Sequence, residues 1–573
     1  MRPQQLALRA TNQYRTRDIM AYLGLRYYFA NQCARRDLWA DEVATHLVMS
    51  RSCGAYFQSR HFKDVRVDGQ IVHRDIFLPG PNESFAEAAL LAECSRYAAF
   101  RSPEFVFSYR LSEGEDTQGV YKPYFSGLQE RQQKIAAACK AGADQVVRYT
   151  DIKRFYPSIS GTLATEAWQK ACDAAQLAPR FRELGLKLLS DYALAGKKSA
   201  HGNGLLTGPM LSHLIANLVL RNVDDVMSAS FPNRYFRYVD DVVLVGSQAE
   251  VKRGRAQLAV LLNECELDLH DADTGKDFEL ATGDWMAGAD DFSGDISQSW
   301  MFLARDLKQF LISQSSSRAT LSAMFAAEGF RIPLPDYSVE VSDARYRDRF
   351  FDQLRRYPWL LRKIFRQTTP SMLISTARLL RSRYIESLNE VLAIGHDADG
   401  YARKRAIPKI RYLAGRLLYL AKPEDLPVIA ERLRPYTELN MLAEVMHTVG
   451  TRDITRLLRM GGNAAQSAAQ ALKLTPDKIT CHVQSWDSAE RQGLAVLRAN
   501  GITVDGPADD DLNRLVLWHE SGHALMKSDE LFIQEIACLH GVSTAPRHPE
   551  ILETAFDPSE ELAFDATTPI DTY

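Results

Sequence analysis

The spacing of apolar and polar positions changes character along this chain. The run Val146-Val147-Arg148-Tyr149-Thr150 is β-forming and ends on Asp151; Pro157 then stops extended structure and can open a helix. Leu211, Leu214, Ile215, Leu218 and Val219 recur at three and four residues, which predicts a helix with one buried face. Thr207, Gly208 and Pro209 suit its entry. Two more β-forming runs, 235–239 and 242–245, flank Asp240-Asp241 and predict a hairpin whose turn projects both carboxylates. A further hairpin is expected around 63–78. Beyond residue 344 the strand signal fades to 504. Amphipathic helices are predicted there at 405–420, 426–433, 438–449, 454–460 and 464–472, a succession that suits stacked helix pairs without a strict repeat.

Adjacent aspartates repel each other, and a divalent cation is a ready means of holding such charge in place. A strand-end aspartate, a glycine-rich loop feeding a helix and an Asp-Asp hairpin, in that order, form the layout of a polymerase palm. At these residues the chain resembles the reverse transcriptases. Asp151 with Phe155-Tyr156 is similar to their first motif, 204–209 to their second, and Tyr238-Val239-Asp240-Asp241 to their third. The wording of 151–159 and of Gly204-Leu205-Leu206-Thr207-Gly208-Pro209-Met210-Leu211-Ser212 is similar to abortive-infection and other defence-associated bacterial members. The chain departs from many of them at Asn203, where they carry Gln, and at Gly208, where they carry Ser. The motif-bearing likeness covers roughly 105–280.

The resemblance implies an α+β right-hand polymerase: fingers over 1–125, palm over 126–285, and thumb-like helices with a linker over 286–343. An α-helical, HEAT-like domain over 344–504 and an acidic region over 505–573 complete it. It implies a DNA polymerase adding dNTPs with Mg²⁺, or Mn²⁺, in antiphage defence, with synthesis templated or untemplated and started from a nucleic-acid or protein hydroxyl. Asp151, Asp240 and Asp241 would be catalytic and metal-binding, with Ile152 beside them at the metal. Tyr156 would exclude a 2′-hydroxyl, and Phe155, Gly204, Leu206 and Pro209 would shape the nucleotide pocket. Lys276 would protonate departing pyrophosphate, while Arg110 and Lys122 would clamp the triphosphate. Expected partners are an RNA template or non-coding RNA, a DNA product, and a second copy or a partner defence protein. Tyr14, Tyr27, Tyr28 and Tyr573 are conceivable primers.

Composition changes the picture in three places. The net charge of −3 does not announce nucleic-acid binding. Eleven basic residues between Arg345 and Arg383, interleaved with Tyr346, Phe350, Phe351, Tyr357, Trp359 and Phe365, could either track phosphates and stack bases or form an ordinary amphipathic helix. Eight dispersed cysteines without a Cys-x-x-Cys argue against a disulfide scaffold or a cysteine zinc site. No export signal or membrane-spanning stretch is expected, which points to the cytoplasm. Asp224-Asp225, away from any β-run, is expected to be solvated. A rival chemistry sits in His519-Glu520-Ser521-Gly522-His523, which fits a zinc-peptidase helix. The palm motifs are also compatible with a retron or intron polymerase, with an RNA-dependent RNA polymerase, and with a silent palm serving as scaffold.

Overall fold

The computed structural model describes residues 9–10, 56–66, 68–79, 81–113, 119–142, 144–198, 204–272, 275–287, parts of 299–332, and 368–397, 401–473, 478–499 and 502–509. The chain divides into two compact units, one of residues 1–61, 73–292 and 509–556, the other of 62–72, 293–508 and 557–573. Helix and strand are mixed, as an α+β chain requires. No described helix is long and apolar enough to cross a membrane.

Strands β1 (Tyr56–Val65) and β2 (Ile71–Pro79) form the hairpin expected around 63–78. Helices α1 (Pro81–Cys94) and α2 (Tyr124–Lys140) precede the central strand β3 (Val146–Asp151). After it come α3 (Phe155–Ser158), α4 (Gly161–Ala175), α5 (Pro179–Lys198), α6 (Met210–Val219) and α7 (Arg221–Ser230). The hairpin β4 (Tyr235–Tyr238) and β5 (Asp241–Gly246), then α8 (Gln248–Asn263), β6 (Asp277–Ala281) and α9 (Thr282–Ala287), complete the described part of this unit. The four strands join in the order β4-β5-β3-β6, all neighbours antiparallel.

Period two sorts this sheet into unlike faces. Thr150, Val242 and Leu244 point one way, towards α8, where Gly254 lies so close that an added Cβ would meet the Phe231 ring at 2.4 Å. Tyr149, Asp151, Asp241, Val243 and Val245 share the other face. Val242 to Val245 are all fully buried, so both faces are covered. Helix α8 starts in a capping box between Ser247 and Glu250, which satisfies two of its orphan backbone donors.

Helix α6 is buried on every side, not on the single face that its periodicity predicts. Ser212, His213 and Asn217 find partners or packing inside the unit, so polar residues do not mark a solvent face here.

In the second unit, α10 (Arg318–Ala327), α11 (Pro370–Asp397), α12 (Tyr401–Leu420), α13 (Leu426–Leu433), α14 (Asn440–Thr451), α15 (Thr455–Arg459), α16 (Gly462–Lys473) and α17 (Ser488–Ala499) follow in sequence. Successive helices pack as pairs, α11 on α12, α13 on α14 and α16 on α17. All five helices predicted between 405 and 472 are present, with ends moved by a few residues. Two-residue strands β7 (Ile479–Thr480) and β8 (Val504–Asp505) pair in parallel, the second at the end of the stretch where almost no strand is expected.

Candidate active site

The site grows out of β3 and β5. Because these strands are adjacent and antiparallel, Asp151 stands directly opposite Asp241. The ladder continues one step beyond the strand, with Ile152 N–H donating to the Asp240 carbonyl at 3.1 Å. Asp151 is thus brought to the end of the sheet that carries the adjacent pair Asp240 and Asp241, distant from it in sequence. Their surroundings bear on what they can hold. Lys276 Nζ donates to Asp151 Oδ2 at 2.7 Å, and His270 Nε2 lies 3.5 Å from Asp151 Oδ1. The Tyr149 hydroxyl donates to Asp241 Oδ1, while Arg131 Nη2 reaches the Asp241 main-chain carbonyl at 3.3 Å. Burial, then the charges of Asp241 and Asp151, push the Asp240 carboxyl up to about 7. Burial also raises the Asp241 carboxyl, against the opposing pull of Arg131 and the Tyr149 bond.

The turn itself is shifted by one residue from its predicted place. Val239 and Asp240 form the two-residue loop, and Asp241 already belongs to β5. Val239 takes a φ of 56°, a left-handed conformation that is costly for a β-branched residue. Its N–H donates to Ser108 Oγ at 2.8 Å, and its carbonyl accepts from Arg237 Nη1 at 2.9 Å. Arg237 is in turn gripped by Asp224 through Nε at 2.8 Å and Nη2 at 2.6 Å, and Asp224 also accepts from the Tyr235 hydroxyl. Asp224 is therefore fully buried rather than solvated, because a buried guanidinium next to this turn needs a buried anion. Only Asp225 is exposed as expected.

The glycine-rich segment is explained by close approaches. A Cβ on Gly204 would lie 1.9 Å from the Pro157 carbonyl oxygen, and Leu205 N–H donates to the Ile159 carbonyl at 3.0 Å. These contacts tie the loop to the turn that follows Asp151. Gly208 has a φ of +120° and lies against the Phe77 carbonyl, which fits glycine and not serine at this position. Pro209 is the N-cap residue of α6, one place before the first turn. The Leu211 N–H donates to Glu87 Oε2 at 3.1 Å; burial pushes the Glu87 carboxyl up to about 7 although Tyr56 and Tyr192 also donate to it.

The remaining expected site residues separate into those near the carboxylates and those that are not. Phe155 is buried and the half-buried Tyr156 follows it on α3, four and five residues past Asp151. Ile152 is buried, so any ligand role falls to its main chain. Leu206 is wholly buried in the hydrophobic core. Arg110 donates to the Val106 and Glu104 carbonyls and pairs with Glu130 at 2.7 Å, over the Phe107 ring. Lys122 is exposed on the ribbon joining 111 to 121. Of the arginine-rich segment, Arg378, Arg381 and Arg383 are described, and they contact Glu328 and Ser299. Asn203, His519 to His523 and the four candidate priming tyrosines lie outside the described residues.

Reading of the sequence missed Tyr149, Arg131, His270 and the Ser108–Arg237–Asp224 chain. Tyr149 alone carried a usable signal, since two residues before Asp151 on one strand it must share its face.

Among the described residues no three ligating side chains converge on one point tightly enough to hold an ion as they stand. Asp151 and Asp241 instead turn towards Lys276 and Tyr149. The donor chemistry of three neighbouring carboxylates is nevertheless that of hard divalent-cation ligands. No protein-family model matches the chain, and no curated protein matches it.

Proposed function

We propose that this chain is a reverse-transcriptase-type DNA polymerase that adds dNTPs by two-metal nucleotidyl transfer. One observation carries the reading: Asp151 and Asp241 face each other across adjacent strands, with Asp240 in the turn beside them. The motif order and wording around these residues support it, as does the glycine loop tied to the turn after Asp151. Asp151, Asp240 and Asp241 would hold Mg²⁺ or Mn²⁺, joined by the Ile152 carbonyl. Bound cations would acidify the attacking 3′-hydroxyl and neutralise the pyrophosphate. Tyr156 would form the wall against which a 2′-hydroxyl clashes. Lys276, released from Asp151, would give a proton to departing pyrophosphate.

Fingers, palm and thumb, a HEAT-like second half, action on nucleic acid in the cytoplasm and a role in antiphage defence all belong to this proposal. Their support is the likeness to defence-associated reverse transcriptases and, for the second half, the pairwise stacking of α11 to α17.

A second reading, a palm retained as a scaffold without catalysis, is favoured by the engagement of Asp151 with Lys276 and of Asp241 with Tyr149. Incubation of the purified chain with each labelled dNTP and Mg²⁺, with and without added RNA, separates the two. The polymerase reading expects incorporation that disappears in the Asp240→Ala, Asp241→Ala double variant. Incorporation that survives the double variant would refute the site, and none from the parent chain would favour the scaffold.

A further inference from the structure

The structure assigns a positioning role to His213 on α6: it fixes the Tyr156 ring as a rigid wall and so sets the choice between deoxyribonucleotides and ribonucleotides. This inference rests on the polymerase reading above and names a residue that no motif supplied.

The geometry is specific. The Tyr156 hydroxyl lies 2.6 Å from His213 Nδ1, and the two rings meet edge to face with centroids 5.5 Å apart at 76°. His213 is buried and stacks on Tyr109 at 3.6 Å with an interplanar angle of 4°. The Tyr121 ring closes a third side at 6.1 Å and 72°. Tyr121 is itself anchored, its hydroxyl donating to the Met210 carbonyl at 2.7 Å at the start of α6. Tyr109 adopts a φ of 48°, a left-handed conformation that a non-glycine residue keeps only where its surroundings over-determine it. Three rings therefore surround the imidazole, and the imidazole holds the far end of the half-exposed Tyr156.

The physical consequence follows from what a steric filter requires. A side chain excludes a hydroxyl by clash only if it cannot rotate away. Tyr156 is attached to the backbone at one end, and its free rotations are about χ1 and χ2. A hydrogen bond at the phenolic oxygen, which lies on the χ2 axis far from Cα, holds χ1, and the edge-to-face contact with the imidazole restrains χ2. An imidazole that could itself rotate would pass the freedom on; stacking on Tyr109 prevents that. The polar contact acts through Tyr156 and touches no nucleotide, so His213 positions a selecting residue and takes no part in the chemistry.

The test compares dNTP with rNTP incorporation, as the ratio of kcat/KM values, in the full chain and three variants. His213→Phe keeps the stack and removes the bond. Tyr156→Phe removes the same bond from the other side. His213→Asn places a polar atom near the Nδ1 position. Each Phe variant is expected to lower the dNTP preference about tenfold, the order expected for losing one neutral hydrogen bond, and the double variant to lower it no further. His213→Asn is expected to recover most of the preference. A residue that merely supported the fold would depress both sugars together, so an unchanged ratio in His213→Phe overturns the assignment. If His213→Phe does not fold, Tyr156→Phe decides alone, and an unchanged ratio there is equally fatal. A parent chain that incorporates neither sugar overturns the polymerase reading and this role with it, whereas incorporation with an unaltered ratio removes only the role of His213.

Discussion

The two faces of the four-stranded sheet treat carboxylates in opposite ways. On the α8 face, buried Asp277 pairs with Arg148 and with Arg255, and accepts from the Thr150 hydroxyl at 2.9 Å. On the opposite face Asp151, Asp240 and Asp241 gather at the strand ends with Lys276 as the ammonium bonded to a carboxylate among them. In the first arrangement the single anion is fully engaged, by two guanidiniums and a hydroxyl. In the second, three carboxylates share one bonded ammonium, and burial together with the charges of Asp241 and Asp151 pushes the Asp240 carboxyl up to about 7. One sheet, built from the same strands, thus separates a structural ion network from a carboxylate cluster that, on the proposed function, would take an external cation.

The contrast is broken most severely at Asp277. Asp277→Asn strands Arg148 in a buried site, and a loss of about 3 kcal/mol in denaturant unfolding is expected. A loss below about 1 kcal/mol would erase the distinction between the faces. Mg²⁺ should act only on the other face: with free ion at ten times its dissociation constant, the parent chain gains about 1.4 kcal/mol. The Asp240→Asn, Asp241→Asn variant should gain nothing measurable in the same thermal scan.

Asp240→Asn should stabilise the metal-free chain at pH 8 by on the order of 1 kcal/mol, because it removes a crowded charge. The pH dependence carries a definite sign. A carboxyl whose folded value lies above its unfolded one binds its proton more tightly in the fold, so its contribution is complete below about pH 4 and is lost as pH rises through about 7. Stability should fall across that window more steeply in the parent than in Asp240→Asn. Equal slopes in urea titrations would show that Asp240 is not strained by its neighbours. The smallest effect is expected at Lys276. Lys276→Met removes the ammonium that competes for Asp151, and Mg²⁺ affinity should rise by about threefold in calorimetry. Weaker binding would mean that the lysine supports the ion rather than displacing it.

Much of this site was legible because local rules and tertiary demands agree there. The strand ending at Asp151, the loop from Gly204 and the hairpin at 240–241 each carry turn chemistry that the fold uses. What was hidden is long-range. The hairpin slipped by one residue because Val239 adopts a conformation that its own side chain disfavours, held by Ser108 and Arg237 from outside the turn. Asp224 looked solvated because its partner lies thirteen residues on, across a turn. The contacts of Arg110 with two carbonyls and Glu130 were likewise not readable from its place in the chain. Charged residues are hard to place from sequence, since burial depends on a partner that period and propensity do not name. The helices of the second unit suffered less: α13 was readable to the residue, with Pro427 in its first turn and apolar positions at helical spacing.

The most direct test is Mn²⁺ binding followed by electron paramagnetic resonance on the full chain at pH 8, beside the Asp240→Asn, Asp241→Asn variant. Saturable uptake by the parent that the double substitution abolishes is the result this account predicts. Uptake that is absent from the parent, or undiminished in the variant, would contradict it.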